Sequence, residues 1–243
     1  MGKAMVVGVV LLAAAGGGYY YLHRSPAPSM SATATVAAPP AAQPPAPSSP
    51  TPTGPVAPEE AFAPTHDRAA AKTSVSKAAM EPTVPLATVL GSLVPDATMH
   101  KLHISKASTS GRVKEEDRNV TVTAYLWASK EEDDNDFHCI LGGTADPVLH
   151  TGTLFMTAEV SGLPPGGADL EVLRKAREQF LAGLHGKAPG RKGYTRFNPP
   201  LAVTVSGSLF FDVDHPAGEV GPTGLKPRTA WEIHPVTAIT FGP

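Results

Sequence analysis

Between residues 119 and 130 the chain alternates apolar and polar positions without a slip: Val120, Val122, Ala124 and Leu126 on one side, Thr121, Thr123, Tyr125 and Trp127 on the other. A period of two marks a strand with one buried face. Glu131-Glu132-Asp133-Asp134-Asn135 then reads as an acidic turn, and residues 136–141 as a returning strand that Gly142-Gly143 breaks. Residues 153–160 give a third strand, and Pro164-Pro165-Gly166-Gly167 a loop. From 169 to 184 the period lengthens to that of a helix. Leu170, Leu173, Ala176, Phe180, Leu181 and Leu184 form its apolar stripe, with Arg177 laying its aliphatic stem along the edge. Asp169 and Glu171 suit the first turn, and Gly186 stops the helix. Residues 202–211 and 230–241 supply a fourth and a fifth strand, and 101–106 a weaker strand ahead of them all.

Three strands, a helix and two more strands predict a mostly β fold. That order is the one found in an OB-like barrel, a five-stranded Greek-key barrel with one helix between strands 3 and 4. The alternative is an open β-sandwich with an inserted helix. Gly207 supplies the bend a small barrel needs, and Pro235 argues for an edge or a bulge in the last strand.

Ahead of this domain the pattern changes twice. Residues 4–22 are almost wholly apolar, ending in Tyr19-Tyr20-Tyr21-Leu22. About 20 residues just cross a hydrocarbon core, and tyrosines suit its interface, so residues 1–24 read as a transmembrane anchor. The competing reading is a cleaved signal peptide, cut near the small residues 15–18. Residues 25–84 are rich in Pro, Ala, Ser and Thr. Such a segment buries too little to offset its ordering entropy, which predicts a disordered, extended stalk. A ligand for proline-binding modules is the other reading of this composition. Within it, 69–80 reads as a frayed helical turn or two that Pro82 and Pro85 end. The domain proper is then 85–243, long enough for one sizeable core. The expected location is the cell envelope: membrane-anchored with the domain outside the cytoplasm, or secreted if the signal is cleaved.

Three short motifs stand out. They are Asp134, Asp136 and His138 as Asp-x-Asp-x-His; Gly207, Phe210, Phe211 and Asp212 as Gly-x-x-Phe-Phe-Asp; and Glu232, His234, Pro235 and Val236 as Glu-x-His-Pro-Val. Over about residues 120–241 they resemble an uncharacterised bacterial family of small exported OB-like β-domains. The resemblance implies a fold and export, and no chemistry. This chain has Asn135 where the family has glycine, which implies a slightly different turn.

The candidate chemistry lies in two acid-x-His pairs, Asp136/His138 and Glu232/His234. On a strand each carboxylate shares a face with its histidine. If the pairs meet across a barrel interior, carboxylates and neutral imidazoles can hold Zn²⁺ or another divalent ion. Asp212 and Asp214 are further candidates. The plainer reading is a hydrogen-bonded network that pins strand register. Neither pair has the fixed spacing of a strong zinc motif. The acidic turn lacks the glycine and the terminal glutamate of an EF-hand loop and reads as solvated. It would repel phosphates, and the net charge of −2 argues against nucleic acid; the basic cluster Lys187, Arg191, Lys192 and Arg196 reads as a solvated loop. Glu159 on strand three has no arginine beside it for a nuclease-like site. Cys139, the single cysteine, shares a face with Phe137 and Leu141 and reads as a small buried residue.

The sequence thus leads to a membrane-tethered or exported envelope protein whose barrel is a binding or scaffold module. Its expected partners are the membrane, through the N-terminal segment, and an envelope protein or small ligand. The alternative is a metal-dependent hydrolase using Asp136, His138, Glu232 and His234.

Overall fold

The computed structural model describes residues 54–146 and 154–242. The expected membrane segment, the front of the expected stalk up to 53, and the start of the third strand at 153 lie outside them. Among the described residues no helix is long and apolar enough to cross a membrane. In chain order the elements are α1 (Ala69–Lys72), β1 (Met80–Pro85), α2 (Leu86–Leu90), α3 (Asp96–Met99), β2 (Asn119–Glu131), β3 (Phe137–Gly142), β4 (Phe155–Val160), α4 (Leu170–Gly183), β5 (Thr195–Phe211) and β6 (Trp231–Phe241).

The fold is mostly β, one six-stranded sheet with few helices. The strand order is β1-β2-β3-β4-β6-β5, and β2 also pairs with β5. Strands β2 to β6 therefore form a closed ring, antiparallel except where β4 meets β6. One face of every ring strand feeds a single apolar cluster. Val120, Val122 and Leu126 come from β2, Phe137 and Leu141 from β3, Met156 and Val160 from β4, Val205 and Leu209 from β5, and Trp231 and Ile233 from β6. Helix α4 adds Ala176 and Phe180 to this cluster, with the Phe180 and Phe137 rings 5.2 Å apart. Leu86, Val89 and Met99 from α2 and α3 join it too.

The alternating strands and the helix follow the hydrophobic pattern closely, because burial of one face sets both period and register. Leu181 is the exception in the helix stripe, 38% exposed one step beyond the buried Phe180. At Gly207 an added Cβ would lie 2.4 Å from the Pro235 carbonyl oxygen, so only glycine lets β5 and β6 approach there. Pro235 sits at a bulge, since Gly207 pairs with Val236 while Leu209 pairs with Ile233. Asn135 adopts a left-handed conformation at φ 69°, which asparagine tolerates and glycine shares, so its presence does not require a different turn.

Two expectations need correction. The described part of the expected stalk is packed against the domain. Phe62, Ala69 and Ala71 are buried, and Arg68, 1% exposed, pairs with the buried Glu116 at 2.7 Å. Small alanines and one buried arginine do the packing, which a composition rich in Pro and Ala conceals. Residues 80–85 then pair in parallel with β2 as an edge strand, a place where Pro82 and Pro85 are tolerated. The weak strand expected at 101–106 is instead a 3₁₀ turn, His100–Leu102, followed by irregular chain.

Candidate functional site

The site is built on the face of β3, β4 and β6 that points away from the main apolar cluster. Each of its residues has apolar neighbours in sequence that point the other way: Phe137 and Cys139 beside His138, Ala158 and Val160 beside Glu159, Trp231 and Ile233 beside Glu232. His138 on β3 is the direct partner of Glu159 on β4. On the other side of β4, Thr157 pairs with Glu232 and Ala158 with Ile233. Glu159 therefore stands between the two acid-x-His pairs, and neighbouring strands are only about 4.8 Å apart.

The four residues singled out in sequence come together through it. His234 Nε2 lies 3.3 Å from Asp136 Oδ2, while its Nδ1 lies 3.4 Å from Glu159 Oε2 and 3.5 Å from Glu232 Oε2. His138 Nε2 lies 3.9 Å from Glu159 Oε1. They meet across adjacent strands on the outer face, and not across the interior as the sequence suggested. The reason is topological: β4 runs between β3 and β6, which are not opposite strands.

Each side chain is held locally. Asp136 Oδ1 accepts the Gly162 amide at 2.6 Å, and the Asp136 amide donates to Asp134 Oδ1 at 3.2 Å. His138 Nδ1 and the Tyr194 hydroxyl share a hydrogen bond of 3.2 Å. His234 has the Phe210 ring 5.3 Å away. Yet, among the described residues, His138 Nε2 and both ring nitrogens of His234 are buried without a hydrogen-bond partner. Such groups cost roughly 1–3 kcal/mol each when left unsatisfied.

Burial sets the charge states. It holds the His138 imidazole down at about 3 and the His234 imidazole at about 4, so both rings are neutral at ordinary pH. Burial, helped by Asp134, pushes Asp136 up to about 7. Burial also pushes Glu159 and Glu232 well above the usual carboxylate range; Asp136 reinforces the first, and Glu159 the second. Burial opposes the charge of Lys72, but Glu159, Asp136, Glu232 and Asp212 outweigh it and raise its ammonium above the usual range. The same effect makes Cys139 inert, its buried thiol pushed well above its ordinary value.

Lys72 reaches these acids because residues 62–76 are strapped over β5 and β6. Arg68 donates to Glu116 and to the Phe211 carbonyl. Arg112 donates to the carbonyls of Ala71 at 2.8 Å, Ser74 at 2.8 Å and His234 at 2.6 Å. A cleft of about 480 Å³ remains open above the floor formed by His138, Glu159 and Glu232. The β2–β3 turn forms one wall, the 212–221 segment another, and His66 and Lys72 of the strap a third. Asp212 lines the cleft, with His215 Nδ1 2.7 Å from its Oδ2, whereas Asp214 turns to Lys106.

Other candidates are used structurally. In the acidic turn, Glu131 pairs with Arg191 at 2.7 Å and Glu132 with Lys130 at 2.8 Å. Arg196 donates to the Thr223 carbonyl. Sequence reasoning did not assign Glu159 and Lys72 to the site. The signal for Glu159 was a lone acid at an outward position of an otherwise apolar strand; Lys72 gave none, since only the strap's packing brings it there. Among the described residues, two sets of buried donor groups lie close enough to hold a metal ion: His138, Glu159 and Glu232 at the cleft floor, and Asp136, Glu159 and His234 behind it. No family model, no curated protein and no solved structure matches this chain.

Proposed function

We propose that this chain is an exported or membrane-tethered envelope protein whose ring of strands is an OB-like barrel serving as a binding module. Its ligand site is the cleft on the outer face of β3 and β4, and its ligand is positively charged. The closed order β2-β3-β4-β6-β5, with one long helix between β4 and β5, supports the OB-like reading. In such barrels the second and third strands, with the loops after the first and fourth, form the usual binding face. The cleft is walled by the corresponding elements here. Export rests on the apolar run at 4–22 and the Pro-rich segment behind it.

One observation carries the ligand class. Apart from the two buried glutamic acids of the floor, the cleft is lined by Glu132, Asp133, Asp134, Asp212 and Glu219 against two lysines, Lys72 and Lys130. A low-dielectric cleft with a net negative lining concentrates the opposite charge and repels phosphates. The test is a binding panel on the purified protein: organic amines and metal cations, neutral oligosaccharides, and single-stranded oligonucleotides. Cations should bind and be weakened by salt and by Glu219→Gln at the rim. Tighter binding of oligonucleotides or sugars than of any cation would overturn the reading. Protection of the domain from protease in intact spheroplasts would overturn export.

The hydrolase reading draws on one further observation: His138, Glu159 and Glu232 face an open cleft that a substrate could enter. It requires a metal ion on that floor.

A further inference from the structure

We infer that the floor of the cleft holds one divalent transition-metal ion, ligated by His138 Nε2, Glu159 and Glu232, with His234 as a positioning residue behind them. This rests on the cleft being the ligand site and names what sits at its base.

The spacing of these groups fits a shared ion. His138 Nε2 and Glu159 Oε1 are 3.9 Å apart, too far for a hydrogen bond. Two atoms that each bond one metal at about 2.1 Å lie about 3–4 Å from one another. One ligand atom from each of His138, Glu159 and Glu232 lies within 4.8 Å of the other two.

One ring nitrogen at the floor is orphaned. His138 is 4% exposed, and its Nε2 has no hydrogen-bond partner among the described residues. Its Nδ1 is engaged by Tyr194. With the proton on Nδ1, donated to the tyrosine oxygen, the Nε2 lone pair points toward Glu159. Metal-binding histidines show this arrangement, the second nitrogen fixed by an outer partner.

His234 completes the support. Its Nδ1 faces Glu159 and Glu232, and its Nε2 faces Asp136. With its one proton on Nδ1 it can orient one of these carboxylates toward the ion, Glu159 being the nearer, without lining the cleft itself.

Charge and donor type select the ion. Glu159 and Glu232 are buried beside the half-buried Lys72, and a dication that displaces their protons offsets the two carboxylate charges it creates. One imidazole and two carboxylates suit Zn²⁺, Mn²⁺ or Fe²⁺ better than Ca²⁺ or Mg²⁺, which prefer all-oxygen sets. The cleft supplies a route in from solvent.

The test uses the full chain, purified in detergent, stripped with chelator and dialysed against Zn²⁺. One Zn²⁺ per chain is expected. His138→Ala and Glu232→Gln should each weaken binding by about 100-fold. His234→Gln should weaken it by roughly 10–100-fold while circular dichroism stays unchanged, as for an outer partner of a ligand. Lys72→Gln should tighten binding about tenfold by removing a competing positive charge. No misfolded variant can mimic that gain.

Absence of stoichiometric Zn²⁺, Mn²⁺ or Fe²⁺, with organic cations still bound in the cleft, overturns the ion and leaves the cleft reading standing. Zn²⁺ binding that survives the double variant His138→Ala/Glu232→Gln overturns the ligand assignment. Failure of metals and organic cations alike removes both.

Discussion

The two faces of β3, β4 and β6 differ by a single residue step and by everything else. Inward, Phe137, Cys139, Leu141, Met156, Ala158, Val160, Trp231 and Ile233 share one apolar cluster. Outward, His138, Glu159, Glu232 and His234 are almost as deeply buried, beneath the 62–76 strap and the 212–221 segment. Burial on the inner face removes apolar surface from water and stabilises the fold at about 25 cal/mol per Å². Burial on the outer face strips carboxylates and imidazoles of water and returns few hydrogen bonds. The same depth thus supports the fold on one side and burdens it on the other. A face that costs stability in the empty protein is what a site shaped for a ligand requires.

The largest effect should come from releasing the strap. Arg68→Ala leaves Glu116 buried and unpaired, and should destabilise the domain by about 3–5 kcal/mol in a denaturant titration. A chain beginning at Pro85, which composition alone treats as the whole domain, should lose cooperative unfolding. A midpoint unchanged by either would return residues 54–84 to the status of a spacer.

On the inner face, Leu141→Ala should cost about 2–5 kcal/mol, through lost transfer energy and the cavity left behind. That loss should be the same with or without added metal.

The pattern of legibility follows the same division. Alternation revealed β2, and the 3.6 period revealed α4, because each element has one face committed to a single apolar cluster. Both acid-x-His pairs were visible for the same reason, since period-two spacing fixes which side chains share a face. Their meeting point was not visible. It depends on β4 lying between β3 and β6, a non-local pairing that no short stretch encodes. The strap was hidden for a different reason. Phe62, Arg68, Ala69 and Ala71 pack through a few tertiary contacts, with neither period nor length enough to stand out from a Pro- and Ala-rich background.

The outer face should also tilt stability with pH. Asp136, raised to about 7, and Glu159 and Glu232, raised further from their usual range, bind protons more tightly folded than unfolded. Their contribution is fully present below their unfolded values near about 4 and is lost as pH rises through the folded ones. His138 and His234 act oppositely. Their depressed values give a contribution present above about 6.5 and lost as pH falls through about 4 and about 3. Between pH 4 and 6.5 the two sets offset one another, and above it only the carboxyl loss remains. The chelated protein should therefore be less stable at pH 8.5 than at pH 6, by roughly 2 kcal/mol. Glu232→Gln should flatten that decline, measured by thermal unfolding across the range. A wild-type curve that rises from pH 6 to 8.5 would contradict the charge states assigned to these acids.

The most direct test of the outer face as a ligand site is the unfolding midpoint of Glu159→Gln in chelator. Glutamine keeps the shape at the centre of the row and removes a carboxyl group whose charged form burial disfavours when no ligand is bound. The account predicts a midpoint equal to or above the wild type, by up to about 2 kcal/mol, with Zn²⁺ raising the wild type alone. A loss of about 1–3 kcal/mol in chelator would instead mark Glu159 as part of a satisfied structural network, and the ligand site would fall with it.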